Sequence, residues 1–499
     1  MNRSQESFNM ESSSPGSGGI DARPLLDDAA SSSMRLSIPA HPQSFAGVGT
    51  GRGRGIAEGW LDERATRSVI GLSREQQTAA RREQSTKTDI VSKSFVLDSS
   101  NTALELGFAQ KYTEISQNGG PNVVAFVNSR SGGGLGLLLL NKLRDLLPHT
   151  NVSDLSLEAE PEATLGQFST RSNVRILVCG GDGTVTWILN AIDACQMECN
   201  PAIAIAPTGT GNDLARSLGW GNSFKLSEIP IYLSWLTSSN CGTPSVLDQW
   251  RVSFQFAENE VNEWREGCSG EEFPLCRMEE SLIAGTGAPW PCETALAFEG
   301  TFQNYFSIGF DAHVVLNFHE LRESKKCNAV FASGGGKLVH ACYGLTASLN
   351  VCTGPPLLRA RVSAWKKPPR KDSWEPLEFP ARSKQLVAIN INSYAGQGVN
   401  LWGARGEDAA VQSPADKVLE LSSVRNGWHE ALVCAGMLKG TRVAQGASYA
   451  FSVQPNVAMQ VDGEAFRAPV PCKVVISLNK QVPVLLGPKP FGGAFYGGQ

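Results

Sequence analysis

CGGDGTVTW, residues 179–187, sets three glycines and an aspartate directly behind the apolar run Ile176-Leu177-Val178 and directly ahead of a helix-type pattern. Glycine removes the Cβ that blocks close approach to the backbone and accepts positive φ, so a loop built this way suits contact with phosphate oxygens. A carboxylate inside such a loop would repel a phosphate that was only being bound. Asp182 therefore implies either a magnesium ion or a proton to be taken from an attacking hydroxyl. A second reading stays open, in which Asp182 simply caps the helix beginning near Thr184.

The same scheme occurs on either side. VVAFVN (123–128) runs into SRSGGGLG and a Leu-rich helical stretch, and AIAIAP (202–207) runs into TGTGND and LARSLGW. Three strand, glycine-turn, helix units in about 100 residues predict a parallel sheet wound with helices, whose ligands bind beyond the carboxyl ends of the strands. The turns then supply one crevice with Asn128, Ser129, Arg130, Ser131 and Gly132 from the first unit. Gly180, Gly181, Gly183 and Thr184 come from the second, and Thr208, Gly209, Thr210, Gly211 and Asn212 from the third. Backbone N–H groups, small hydroxyls and one guanidinium form a polyphosphate site. The spacing is neither GxxxxGK[ST] nor GxGxxG with a distant acid.

Downstream, MQVDGEAF (459–466) places Asp462 and Glu464 at a strand end, where Glu464 is a candidate proton acceptor and Asp462, with Asp182, a candidate metal ligand. DG is also a common hairpin dipeptide, so a plain turn is the competing reading. β-Branched and aromatic runs at 304–318, 386–395, 417–424, 449–454 and 472–478 predict a mostly antiparallel second domain, with helices near 314–323 and 337–349.

The rest of the chain bounds the answer. Its 499 residues carry 44 Lys and Arg against 48 Asp and Glu, a net charge of −4 that argues against a nucleic-acid coat. The twelve cysteines show no CxxC spacing, and no apolar run reaches the length of a spanning helix. Residues 1–110 read as a Ser/Gly/Arg-rich disordered tail. Domain limits follow at 121–245, a connector at 246–295, a second domain at 296–478 and a C-terminal tail at 479–499. KKPPRK (366–371), flanked by Trp365 and Trp374, is either a solvated loop or a contact for anionic lipid.

VVAFVNSRSGGGLG, CGGDGTVTW and APTGTGNDLARSLGWG resemble the catalytic domain of diacylglycerol kinases, and NYFSIGFDAHV, VAININSYAGQGVNLWG, GTRVAQG and QVDGE resemble their accessory domain. The form is similar to the small plant-type members without zinc-coordinating lipid-binding domains. The resemblance implies an N-terminal three-layer α/β nucleotide-binding domain, a C-terminal β-sandwich and ATP in the cleft between them. It implies ATP and Mg2+ as cofactors, Asp182 and Glu464 as catalytic residues with the base unassigned between them, and Asp213, Asp311 and His313 on the lipid side. The implied protein is cytoplasmic and peripherally bound to membranes holding diacylglycerol. Where QVDGE is followed in the family by Pro-Trp, this chain has Ala465 and Phe466. Sphingosine kinases share the glycine loop but carry an acid at the position of His313; a sphingosine-type kinase and an inactive lipid-sensing scaffold are the rival readings.

Overall fold

The computed structural model describes Tyr112, Glu114 and residues 119–487, apart from 157–159, 210, 239–243, 269–271, 277, 284–287, 291–294, 324–356, 397 and 404–409. The proposed tail at 1–110, Thr210 and the helix expected at 337–349 lie outside the described residues.

The first half is laid out as the glycine turns predict. β1 (Asn122–Val127), β2 (Val152–Asp154), β3 (Val174–Gly180) and β4 (Ala202–Pro207) are parallel, in the order β4-β3-β1-β2. Their interiors read as almost unbroken apolar runs, because helices cover both faces of a parallel sheet. These helices are α1 (Leu135–Leu146), α2 (Pro161–Gly166), α3 (Asp182–Ala194), α4 (Asp213–Ser217) and α5 (Ile229–Thr237). β3 and β4 span the residues expected, and each ends at a glycine-rich turn.

The segment expected as a connector with the first strands of the second domain opens with a long strand. β5 (Ser245–Phe256) pairs antiparallel with β17 (Cys472–Val484) and with β7 (Ala295–Phe302), while α6 (Glu258–Gly267) and β6 (Glu279–Ile283) fill the interval. Asp248, Gln249, Ser253 and Gln255 are buried in β5, and these polar residues hide the strand pattern from a hydrophobicity reading. β17 likewise continues beyond 478, where a tail was expected. Residues 480–484 still pair with β5, Val484 pairs parallel with Ile203 of β4, and Trp220 Nε1 donates to Leu485 O at 2.7 Å. Pro483 argues against a strand, yet it falls where β17 has lost β14 as its second neighbour. The chain end thus joins β4 to the accessory strands in one sheet.

The other sheet is antiparallel, in the order β13-β12-β11-β8-β15-β16. It is built from β8 (Tyr305–Gly309), β11 (Gln385–Ile389), β12 (Leu419–Val424), β13 (Thr441–Gly446), β15 (Ala458–Val461) and β16 (Glu464–Arg467). α7 (Phe310–Glu323) follows β8, and α8 (Gly427–Cys434) lies between β12 and β13. β9 (Val362–Lys367), β10 (Glu375–Leu377) and β14 (Ser448–Val453) extend the first sheet. An aromatic core containing Phe254, Phe306, Phe451 and Phe466 fills the space between the two sheets.

Candidate active site

The three glycine turns meet. Ser131 Oγ and Thr208 Oγ1 share a hydrogen bond of 2.6 Å, and Thr208 N donates to Gly180 O at 3.1 Å. The glycines divide into two kinds. A Cβ on Gly180 would lie 2.4 Å from Thr184 Oγ1, one on Gly209 2.5 Å from Gly181 Cα, and one on Gly132 2.8 Å from Thr208 O. Gly180 is required by the packing of its own turn, and Gly209 and Gly132 by the packing of one loop on another. Around Gly133, Gly134, Gly183 and Gly211 nothing described lies within 4 Å of the added atom, so the backbone of these turns is open to approach. Arg130 is exposed beside them, and Asn128 Oδ1 accepts from Arg130 N at 3.2 Å.

Several residues expected at the nucleotide also hold the loops. Ser129 Oγ donates to Asp154 Oδ2 at 3.0 Å. Thr184 is buried against Gly180. Asn212 Nδ2 donates to Gly209 O at 2.8 Å and Asn222 O at 3.1 Å, while its buried Oδ1 has no partner in the protein.

Asp182 does not cap its own helix. Gly181 is the N-cap of α3, and the Asp182 carboxylate reaches across to α4, where Oδ2 accepts from Asp213 N at 3.0 Å and Oδ1 from Leu214 N at 3.4 Å. Asn304 Nδ2, at the start of β8, adds a third donor to Oδ2 at 2.8 Å. Burial pushes the Asp182 carboxyl well above the usual range, and the nearby Asp213 and Asp462 charges push it further. The carboxylate is thus fixed by three N–H groups, with its proton affinity raised by burial and by neighbouring acids.

Asp462 has a different arrangement. Asp462 (φ 45°) and Gly463 (φ 93°) are the two-residue turn between β15 and β16, with Val461 facing Glu464 across it. The Asp462 carboxylate accepts from Gln303 N, Asn304 N and Tyr305 N at 3.0, 3.0 and 2.9 Å. Burial raises its pKa to about 6 against the pull of those three donors. The hairpin reading holds, and both carboxylate oxygens accept from backbone N–H groups. Among the described residues no group of three or more His, Cys, Asp and Glu is arranged to hold a metal. Glu464 stands exposed at the first position of β16.

The residues expected on the lipid side also lie deeper than the sequence suggested. Asp213 is buried; its Oδ1 accepts from Arg216 Nη1 at 3.0 Å and from Ser393 Oγ, and its Oδ2 accepts from Gly396 N at 2.7 Å. It joins α4 to the 393–396 loop of the accessory half. Asp311 is buried at the start of α7, where Gln460 Nε2 (2.7 Å) and Tyr394 Oη (3.0 Å) donate to its Oδ2. Tyr394 Oη is also 2.6 Å from Gln385 Nε2 and 2.9 Å from Glu430 Oε1. One phenolic proton cannot serve both carboxyls. With that proton given to Asp311, Glu430 must supply its own to the phenol oxygen, consistent with a Glu430 pKa that burial, then the Asp311 charge, raises to about 8. His313 Nδ1 accepts from Arg467 Nη2 at 2.7 Å, and burial together with that guanidinium lowers its pKa, so the ring is neutral.

Sequence reading missed Asn304, Arg216 and Ser393. The available signal was the polar Asn304 standing at the head of the buried strand YFSIG.

Comparison with known proteins agrees with this architecture. The diacylglycerol kinase catalytic domain family matches residues 122–234, and the diacylglycerol kinase accessory domain family matches residues 301–465. The chain is 30% identical to diacylglycerol kinase 4 of Arabidopsis thaliana over 385 residues, covering 70% of this chain and 77% of that protein. It is 31% identical to diacylglycerol kinase 1 of Oryza sativa subsp. japonica over 380 residues, covering 70% and 75% respectively. A crystal structure of a diacylglycerol kinase from Bacillus anthracis str. Sterne is also similar, with TM-score 0.38 and 15% identity, covering 74% of this chain and 98% of that one. With converging glycine loops around one held carboxylate and both domains matched in order, the chain belongs to the diacylglycerol kinase family.

Proposed function

We propose that this protein transfers the γ-phosphoryl group of ATP to the free hydroxyl of a diacylglycerol, giving phosphatidic acid and ADP. The observation that carries the reading is Asp182, held by α4 and Asn304 where three phosphate-type loops meet. The exposed backbone of Gly133, Gly134, Gly183 and Gly211 and the Arg130 guanidinium bind the phosphates. Asp182 accepts the hydroxyl proton as the acceptor oxygen bonds to Pγ and the Pγ–O bond to ADP breaks. Its raised proton affinity favours it over the exposed Glu464 for that step. Magnesium, bound chiefly by nucleotide phosphates in sites of this type, would neutralise charge there. Asp182, at the glycine turn, is the carboxylate that would face it in this reading.

A neutral His313 facing Arg467 offers no anion to an amine, which supports a glycerolipid rather than a sphingoid acceptor. No described helix is long and apolar enough to cross a membrane. We place the protein in the cytoplasm, peripherally bound. The test is transfer of labelled γ-phosphate from ATP with magnesium to diacylglycerol and to sphingosine in mixed micelles. Label in phosphatidic acid alone is expected; label in sphingosine phosphate would transfer the assignment to that class, and label in neither lipid would leave the scaffold reading.

A further inference from the structure

The edge of the antiparallel sheet carries an exposed apolar cluster. Trp428 on α8 is 52% exposed, and Met437 and Leu438 in the turn after it are 71% and 44% exposed. They are held in one rigid unit. Gly436 (φ 73°) reverses the chain, Met437 N and Leu438 N donate to Leu432 O at 2.9 and 3.2 Å, and the chain runs back along α8 until His429 Nε2 meets Lys439 O at 2.8 Å. His429 Nδ1 accepts from Arg425 N at 3.2 Å, and Asn426 caps the helix. Large side chains are therefore fixed outward on a braced support, which is costly in water unless something covers them.

The charge around the cluster points to what covers it. Arg425 and Lys439 are exposed on either side, and neither is ion-paired among the described residues; Arg442 lies 5.2 Å over the Trp402 ring. From Arg425 to Arg442 the sequence holds one acid, Glu430, which is turned inward to Tyr394. The basic stretch singled out in the sequence differs on this point. In the β9–β10 hairpin, Lys367 pairs with Asp372 at 2.6 Å and Lys371 with Glu375 at 3.0 Å, while Trp365 packs edge-on against Trp290. Two of its four charges are already answered and one of its tryptophans is already packed.

The cluster is also tied to the cleft. Gly440 N donates to Leu401 O at 3.0 Å, and the segment leading back from Leu401 includes Gly398, packed on Arg216, and Gly396 and Ser393, bonded to Asp213. We propose that α8 and the 435–440 turn are the surface by which this protein docks on an anionic bilayer, with Trp428, Met437 and Leu438 entering the headgroup boundary and Arg425 and Lys439 meeting lipid phosphates. This rests on the lipid-kinase reading, since an acceptor held in a bilayer requires the cleft to approach that plane.

The test uses the full chain and sedimentation with phosphatidylcholine vesicles, with and without phosphatidylglycerol. Wild type is expected to partition more strongly onto the anionic vesicles. Trp428→Ser with Met437→Ser and Leu438→Ser should lower partitioning onto both by roughly tenfold or more. Arg425→Gln with Lys439→Gln should lower it about 30-fold on anionic vesicles alone. Both variants should keep wild-type phosphorylation of a short-chain, water-soluble diacylglycerol. Wild-type partitioning by either variant overturns the proposal, as does a wild type that ignores vesicles or a cluster-dependent self-association in their place. Loss of short-chain phosphorylation by wild type would instead sink the kinase reading and leave the vesicle result standing.

Discussion

Asp182 and Asp462 are each followed by glycine and each stand at a strand end, yet they are put to opposite uses. Asp182 sits between a parallel strand and a helix, so its carboxylate is free to leave its own backbone and be received by another helix and by Asn304. Asp462 sits in a two-residue hairpin, and its carboxylate closes on the backbone of residues 303–305. What separates them is the source of the donors. Asp462 is met entirely by peptide N–H groups of one neighbouring segment, whereas Asp182 takes two peptide N–H groups and the Asn304 amide. Asp182 stands in a glycine turn and takes one of its donors from the Asn304 side chain, which supports the chemical role proposed for it. The two are linked, since the residue whose backbone Asp462 clamps is the one whose side chain holds Asp182.

The largest expected effect separates them by turnover. Asp182→Asn should lower kcat for diacylglycerol about a thousandfold, measured by labelled phosphate transfer, because the proton acceptor is gone. Asp462→Ala should act mainly on stability, lowering it by about 3 kcal/mol in urea denaturation, because three backbone donors lose their acceptor. Substantial stability loss in the first variant without catalytic loss, or the reverse in the second, would break the comparison.

A smaller effect tests the buried acid network behind the site. The Glu430 pKa is raised to about 8, above its unfolded value, so the folded chain holds more protons than the unfolded chain between about pH 4.5 and 8. Its contribution to stability is complete below that window and is lost as pH rises through it. Glu430→Gln keeps a donor for Tyr394, so it should stay within about 1 kcal/mol of wild type at pH 6 and show a flatter fall in stability towards pH 9. Thermal melts across that range check this. The smallest effect is expected at the β9–β10 hairpin: replacing Lys366, Lys367, Arg370 and Lys371 with glutamine should leave vesicle partitioning unchanged, since the charges of Lys367 and Lys371 are paired within the hairpin.

How much of this was legible follows from which interactions are local. β3 and β4 could be read because a buried parallel strand and the turn behind it leave an uninterrupted signal. The convergence of the three loops could be read for the same reason. The division among the glycines could not, because whether Gly209 answers a ligand or Gly181 depends on the distance between loops. β5 was hidden by Asp248, Gln249 and Gln255, polar residues whose burial depends on partners far along the chain. Asp248 alone is met by Lys417 N and Gln481 Nε2. Asn304 was hidden likewise, since its role is visible only once β8 is set against α3 and α4.

The measurement that most directly tests the account is ATP affinity and kcat determined on a single preparation of Asp182→Asn. The account predicts ATP binding within a few-fold of wild type, since glycine backbone and Arg130 hold the phosphates, together with a kcat reduced about a thousandfold. A variant that turns over within tenfold of wild type, or one that loses ATP binding in proportion to kcat, would contradict the assignment of Asp182 to the chemical step.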